Sequence, residues 1–175
     1  MLTVPLQINS KDVHTEKLID VTSPALSKVT HQACAASVTD ALNAVEAAEA
    51  ALEAWTDLPP DQKRNIFLRA ADILERRAEE VGQFEQDEAG ATPFYASVFD
   101  VSTAVSGLRD VAGKISSIVG TVPALSDPSR SGMIMKEPYG VIFAISPWYL
   151  PLHLLYGFIL TNETGTQHSS SVSGL

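Results

Sequence analysis

Residues 136–151 read KEPYGVIFAISPWYLP, and they predict strand, sharp turn and helix start within sixteen positions. Residues 141–145 form a short apolar, partly β-branched run entered through Pro138 and Gly140, the pattern of a strand buried on both faces. Ser146, Pro147 and Trp148 break it. In an open α/β sheet, cofactors and substrates bind at the carboxyl end of such a strand, where a loop leads into a helix. The turn 145–148 is therefore the first candidate site.

Upstream of this stretch the texture is different. Residues 3–8, 18–22 and 28–33 are short β-prone pieces, with Ser23-Pro24 marking a turn. So few strands are marginal alone and are expected to lie against another layer. From Ser37 the pattern becomes helical. Ser37 is placed to accept the N–H of Asp40, whose carboxylate sits at the positive end of a helix reaching about Trp55. Val38, Leu42, Val45, Ala48, Leu52 and Trp55 recur at spacings of three and four, a face expected to be buried. A second helix opens at Pro59-Pro60 and is expected to run unbroken to about Ala89, with Gly90 as its left-handed cap.

Thr92 and Pro93 start a third helix, expected to reach about Val119. Phe94, Val98, Val101, Val105, Leu108, Ala112, Ile115 and Val119 form its apolar stripe. Packing against the other two helices explains that stripe better than a coiled-coil seam, because its flanks lack paired opposite charges. Residues 122–131 read as a loop, and 132–136 as a short strand that makes a hairpin into 141–145. Residues 161–175 are polar and serine-rich, and are expected to be disordered.

Composition narrows the function classes. The chain has 175 residues and a net charge of −9. Residues 40–100, with 14 acidic and 5 basic side chains, account for all of that charge. Such a surface repels phosphate backbones and anionic lipid, so neither nucleic acid nor an anionic membrane surface is expected as a partner. Cys34 is the only cysteine, which precludes an internal disulfide and implies a reducing compartment. No basic segment followed by an apolar core marks residues 1–10 as a secretory signal, and a cytoplasmic address is the expectation. The sequon at Asn162 is read as chance.

Other constellations are weak. His14, His31, His153 and His168 pair with no cysteine or carboxylate at ligand spacing, so no metal is assigned. Cys34 has no neighbouring cation to activate it and reads as a small buried residue. Gly107, Gly113 and Gly120 do not form a phosphate-binding loop. Glu79, Glu80, Glu85, Asp87 and Glu88 read as a solvated helix face, since nothing nearby raises one pKa selectively.

With these residues in view, Ser23-Pro24-Ala25 after a strand, RNIFLRAADIL at 64–74 and above all EPYGVIFAISPW at 137–148 resemble the N-terminal part of the aldehyde dehydrogenase superfamily. The likeness extends to the branch acting on aromatic aldehydes such as salicylaldehyde. It covers about residues 6–148, and the EP-x-GV…PW element carries most of its specificity.

The resemblance implies an α/β fold, here an incomplete Rossmann-type one. It would comprise N-terminal strands (1–36), the helical part of the cofactor domain (37–120), a hairpin with the first strand, turn and helix start (121–160), and a tail (161–175). It implies NAD or NADP as cofactor, with Ile145, Ser146, Pro147 and Trp148 along its ribose and nicotinamide side, and a small-molecule aldehyde as substrate. In the family a cysteine thiolate attacks the aldehyde, hydride passes to the nicotinamide, and a glutamate activates the hydrolytic water.

This sequence departs from the pattern at Tyr149, where the family places an asparagine that stabilises the oxyanion. Residues 149–175 read as unrelated to it, and the nucleophilic cysteine and general-base glutamate are absent. Cys34 lies in the wrong region to replace that nucleophile. No catalytic residue is assigned, and the chain is expected to be a truncated member that is inactive alone. One alternative is an interaction fragment that binds itself or full-length homologous subunits through apolar faces left uncovered. A tail-anchored membrane protein spanning 141–160 is disfavoured by Ser146, Pro147, Pro151 and His153.

Overall fold

A computed structural model describes residues 1–127, 129–147 and 152. The N-terminal region is built from β1 (Thr3–Val4), β2 (Leu6–Ile8), β3 (Lys11–Val13), β4 (Leu18–Ser23) and β5 (Lys28–Cys34). Strand β5 is the centre of a three-stranded sheet, parallel to β1 and antiparallel to β4, while β2 and β3 form a separate hairpin. Pro5 lies between β1 and β2, where the sequence suggests one strand over 3–8; proline cannot donate to a ladder, and the pairing changes partner there.

Strand β3 is not apparent in the sequence. It depends on the two-residue turn Asn9-Ser10, both at positive φ of 51° and 58°, the geometry that matches strand twist in a tight hairpin. Asn-Ser is a weaker signal for that turn than Asn-Gly.

Among the described residues four α-helices follow: α1 (Val38–Thr56), α2 (Pro60–Arg76), α3 (Ala78–Ala89) and α4 (Val101–Ile115). The start of α1 is as expected, and reciprocal. Ser37 Oγ accepts the Asp40 N–H at 3.2 Å, and Asp40 Oδ2 accepts the Ser37 N–H at 2.8 Å. These bonds hold the Asp40 carboxyl below its ordinary range, the backbone bond foremost. Ser37→Ala is expected to destabilise the fold by about 1 kcal/mol in urea titration, the usual cost of a lost N-cap.

The second expected helix is two. It breaks at Arg77, whose φ of −103° and ψ of 14° leave the helical region without any proline or glycine to announce it. Arg77 clasps Glu80 with Nε and Nη2, each at 2.8 Å. The break lets α2 pack along α4 while α3 turns toward β4 and the chain before α4. Gly90 is the left-handed cap, at φ 70°.

The third expected helix also differs. Residues Phe94–Asp100 form a π-helical stretch, and α4 ends at Ile115 rather than Val119. Gly82 of α3 meets this stretch so closely that a Cβ there would lie 2.1 Å from Ser97 Oγ. A side chain at 82 would require Ser97 to shift, and along the same face of α3 Glu85 lies beside Asp100.

The core lies between α2 and α4. Phe67, Val111, Ala112 and Ile115 form one buried cluster, with Trp55 and Leu68 against it. Ala71, Val101 and Val105 form the next, against which Leu74, Val81 and Leu152 pack. The stripe of the third helix is thus covered in its middle, whereas Phe94, Val98 and Val119 are exposed. The stripe of α1 departs further from expectation: it buries no residue fully, and Val38 is 78% exposed. Periodicity identifies an apolar face, but burial requires an opposing surface: Trp55 reaches the core cluster, whereas Val38, Leu42 and Val45 stay exposed.

Candidate functional site

Beyond α4 the described residues include one isolated bridge. Thr121 and Ile134 exchange backbone hydrogen bonds at 3.0 and 2.8 Å, an isolated antiparallel bridge. This bridge is all that stands, among the described residues, where the sequence suggests a strand over 132–136. Gly140, at φ 90°, then turns the backbone beside Leu52 of α1. That conformation is strained for any residue with a Cβ.

Residues 141–145 are not the strand buried on both faces that the sequence suggests. They pair with no strand among the described residues, and Phe143 is 83% and Ile145 67% exposed. A β run is buried by neighbouring strands and by layers above and below, none of which its own sequence contains. The candidate turn follows directly. Ile145 and Ser146 are exposed and Pro147 is half-buried. They present an apolar side chain beside a hydroxyl-bearing one. Trp148, the fourth residue expected there, lies outside the described residues, as do Tyr149, His153, His168 and the expected disordered tail.

Of the α3 carboxylates read from the sequence as a solvated face, Glu79, Glu80 and Glu88 are exposed, whereas Glu85 departs from that reading. Glu79 and Glu80 lie in the first turn of α3, and Glu80 pairs with Arg77, which holds its carboxyl low. Asp87 accepts a bond from Gln83 Nε2 at 3.0 Å. Glu85 instead turns inward. Its carboxyl is pushed up to about 8, by burial first, then by its hydrogen bond to Asp100 and by repulsion from Asp100 and Glu88. Its Oε1 is buried and receives no hydrogen bond. Asp100 is fully buried, and its Oδ2 accepts the backbone N–H of Leu152 at 3.2 Å.

A legible signal existed for this residue. Glu85 follows Ala78, Val81 and Gly82 at helical spacing, which places a carboxylate on the apolar stripe of α3. Glu88 faces β5, where its Oε1 lies 3.2 Å from Nε2 of the buried His31. His31 Nδ1 is 3.2 Å from Thr30 Oγ1, and its ring meets Phe84 edge-on.

Cys34 is buried at the end of β5, where its Sγ accepts the Thr15 N–H at 3.4 Å. It belongs to the N-terminal sheet and not to the turn. Among the described residues no three His, Cys, Asp or Glu side chains converge as metal ligands, and no helix is long and apolar enough to cross a membrane.

Comparison with known proteins places these elements. The aldehyde dehydrogenase family matches residues 10–161. A vanillin dehydrogenase from Pseudomonas sp. (strain HR199 / DSM 7063) is 35% identical over 156 residues, covering 88% of this chain and 32% of its own length. The crystal structure of a salicylaldehyde dehydrogenase from Pseudomonas putida G7, complexed with salicylaldehyde, superposes with a TM-score of 0.87 at 26% identity, over 95% of this chain and 35% of that one. PnpE in complex with nicotinamide adenine dinucleotide gives 0.86 at 26% identity, over 94% and 34%.

The chain thus spans about a third of the length of the relatives it matches. The family match also corrects the expected limit of the resemblance. It passes through Tyr149 to residue 161, so the sequence just beyond the turn is family sequence rather than unrelated.

Proposed function

This chain belongs to the aldehyde dehydrogenase family, and from that premise we propose that it supplies one wall of an NAD(P) site and does not oxidise aldehydes by itself. The observation that carries the proposal is the turn of exposed Ile145 and Ser146 and half-buried Pro147, at the end of a run that starts beside Leu52 of α1 at Gly140. An apolar side chain beside a hydroxyl fits a ribose–nicotinamide face as one side of a cleft. Ile145 would pack against the cofactor, Ser146 would offer its hydroxyl, and Pro147 would hold the bend. When bound, the nicotinamide would accept hydride from the substrate carbon.

The chemistry itself is assigned elsewhere. A thiolate nucleophile needs access and an electropositive setting, and the only cysteine of these 175 residues is buried in β5. Aromatic aldehydes are the proposed substrate class of the complete catalytic unit, a reading supported by the vanillin and salicylaldehyde dehydrogenases among the similar proteins. The purified chain, mixed with NAD or NADP and with vanillin or salicylaldehyde, is expected to form no reduced nicotinamide. Robust turnover would overturn the proposal.

A second reading is favoured by a separate observation. Val38, Leu42 and Val45 on α1, and Phe143 and Ile145 beyond it, are exposed apolar side chains. Such surfaces mark contacts with another chain or domain, here homologous aldehyde dehydrogenase subunits. Co-purification with an intact family member would support this role. A clean monomer that binds no hydrophobic dye would count against it.

A further inference from the structure

Leu152 is held to the helical layer in two ways. Its side chain packs on the Ala71, Val101 and Val105 cluster, and its backbone N–H reaches Oδ2 of Asp100 at 3.2 Å. Asp100 is fully buried at the junction of the π-helical stretch and α4. It would be costly there as one of two adjacent anions, since like charges in a site of low dielectric cannot both ionise cheaply. Glu85 is that neighbour, and its buried Oε1 receives no donor. A proton on Glu85, given in hydrogen bond to Asp100, resolves both problems and leaves one negative charge on the pair.

We propose that Glu85 and Asp100 are a proton-sharing positioning pair: with the proton on Glu85, Asp100 carries the single charge that grips the Leu152 N–H and fixes the chain just beyond the turn at Ile145, Ser146 and Pro147. A charged acceptor binds an N–H more strongly than a neutral one. Loss of the proton sets a second charge against the first, and the pair must separate or admit water, which loosens the grip.

The groups around Glu85 push in one direction. Asp100 faces it from the π-helical stretch and Glu88 from its own helix, with His31 of β5 bound behind Glu88. Strand β4, which packs on α3, contributes Asp20, which is exposed and bonded to Gln32 at 2.7 Å. The surfaces of α2 and α4 in the neighbouring cluster are the aliphatic Ala71, Leu74, Val101 and Val105. The service of this anchor to a cofactor turn rests on the reading proposed above, whereas the anchor itself does not.

The test is a pH titration of the whole chain by NMR. The Leu152 amide proton and the Glu85 side-chain carboxyl carbon are expected to move together, with a shared midpoint near pH 8. In Glu85→Gln, where the amide donates to Asp100 at every pH, the Leu152 step should vanish and its resonance should stay at the position of the protonated wild type. In Asp100→Asn, the neutral acceptor should shift the Leu152 amide upfield and lower the Glu85 midpoint. A Leu152 resonance that is flat through pH 8 in the wild type overturns the proposal, as does a step that survives in Glu85→Gln. Addition of NAD tests the cofactor reading separately, because a chain that titrates as described but does not bind NAD keeps the anchor and loses the reading.

Discussion

Phe67→Ala is expected to remove about 3–5 kcal/mol of stability, the range for deleting a buried aromatic ring. That is a large fraction of the ~5–15 kcal/mol that holds a typical domain together. Phe67 is 8% exposed and anchors the cluster of Val111, Ala112 and Ile115. It also meets Trp55 edge-on, with ring centroids 6.1 Å apart, a contact worth about 1 kcal/mol beyond the buried area. Since Trp55 is the residue by which α1 reaches this cluster, the substitution should loosen α1 together with the α2–α4 layer. The urea midpoint should fall sharply, and the fluorescence of Trp55 should report a wetter environment before global unfolding. Phe143→Ala is the control. The same ring, 83% exposed, should change stability by no more than ~0.5 kcal/mol, and a loss comparable to that of Phe67→Ala would show that Phe143 packs against something in solution.

Glu85→Gln is expected to stabilise the protein at pH 8 and to leave it nearly unchanged at low pH. Glu85 titrates near 8 in the fold against an ordinary 4.5. Below 4.5 both folded and unfolded chains hold the proton, so the group contributes nothing to the pH slope. Between 4.5 and about 8 the folded chain keeps a proton that the unfolded chain has lost, and stability falls as pH rises. Above about 8 both forms are ionised and the cost stays constant. Because the side chain is only half-buried, water screens part of the effect, and on the order of 2 kcal/mol is expected across the window. Urea midpoints should decline from pH 5 to 8 in the wild type and stay level in the variant.

The lowered carboxyls of Asp40, Glu75, Glu80 and Asp127 act with the opposite sign. Their stabilisation is present above their ordinary pKa and is lost as acid protonates them, below the window of Glu85. A wild-type curve that is level between pH 5 and 8 would show that Glu85 is ionised in the fold.

Asp100 adds a reason to keep the pair intact. Removing its carboxylate would leave the Leu152 N–H without that acceptor and Glu85 without its partner in a buried place, where an unpaired polar group costs about 1–3 kcal/mol. The pair is thus a local compromise, in which part of the stability available near neutral pH is exchanged for a fixed point beneath the chain that follows the turn.

The family and the locally encoded elements were legible in the amino-acid sequence. The EP-x-GV…PW element identified the aldehyde dehydrogenase relationship, Ser37 and Asp40 marked the start of α1, and Gly90 marked the end of α3. Each depends on a few adjacent residues acting on their own backbone, so each can be read without knowing what lies opposite. Only the tertiary structure decided the rest. It split the second helix at Arg77, turned Glu85 inward against Asp100, left the α1 stripe and Phe143 exposed, and gave residues 141–145 no strand partner among the described residues. The physical reason is common to all four. Burial, pairing and a shifted pKa belong to two surfaces at once, and a sequence pattern describes only one of them.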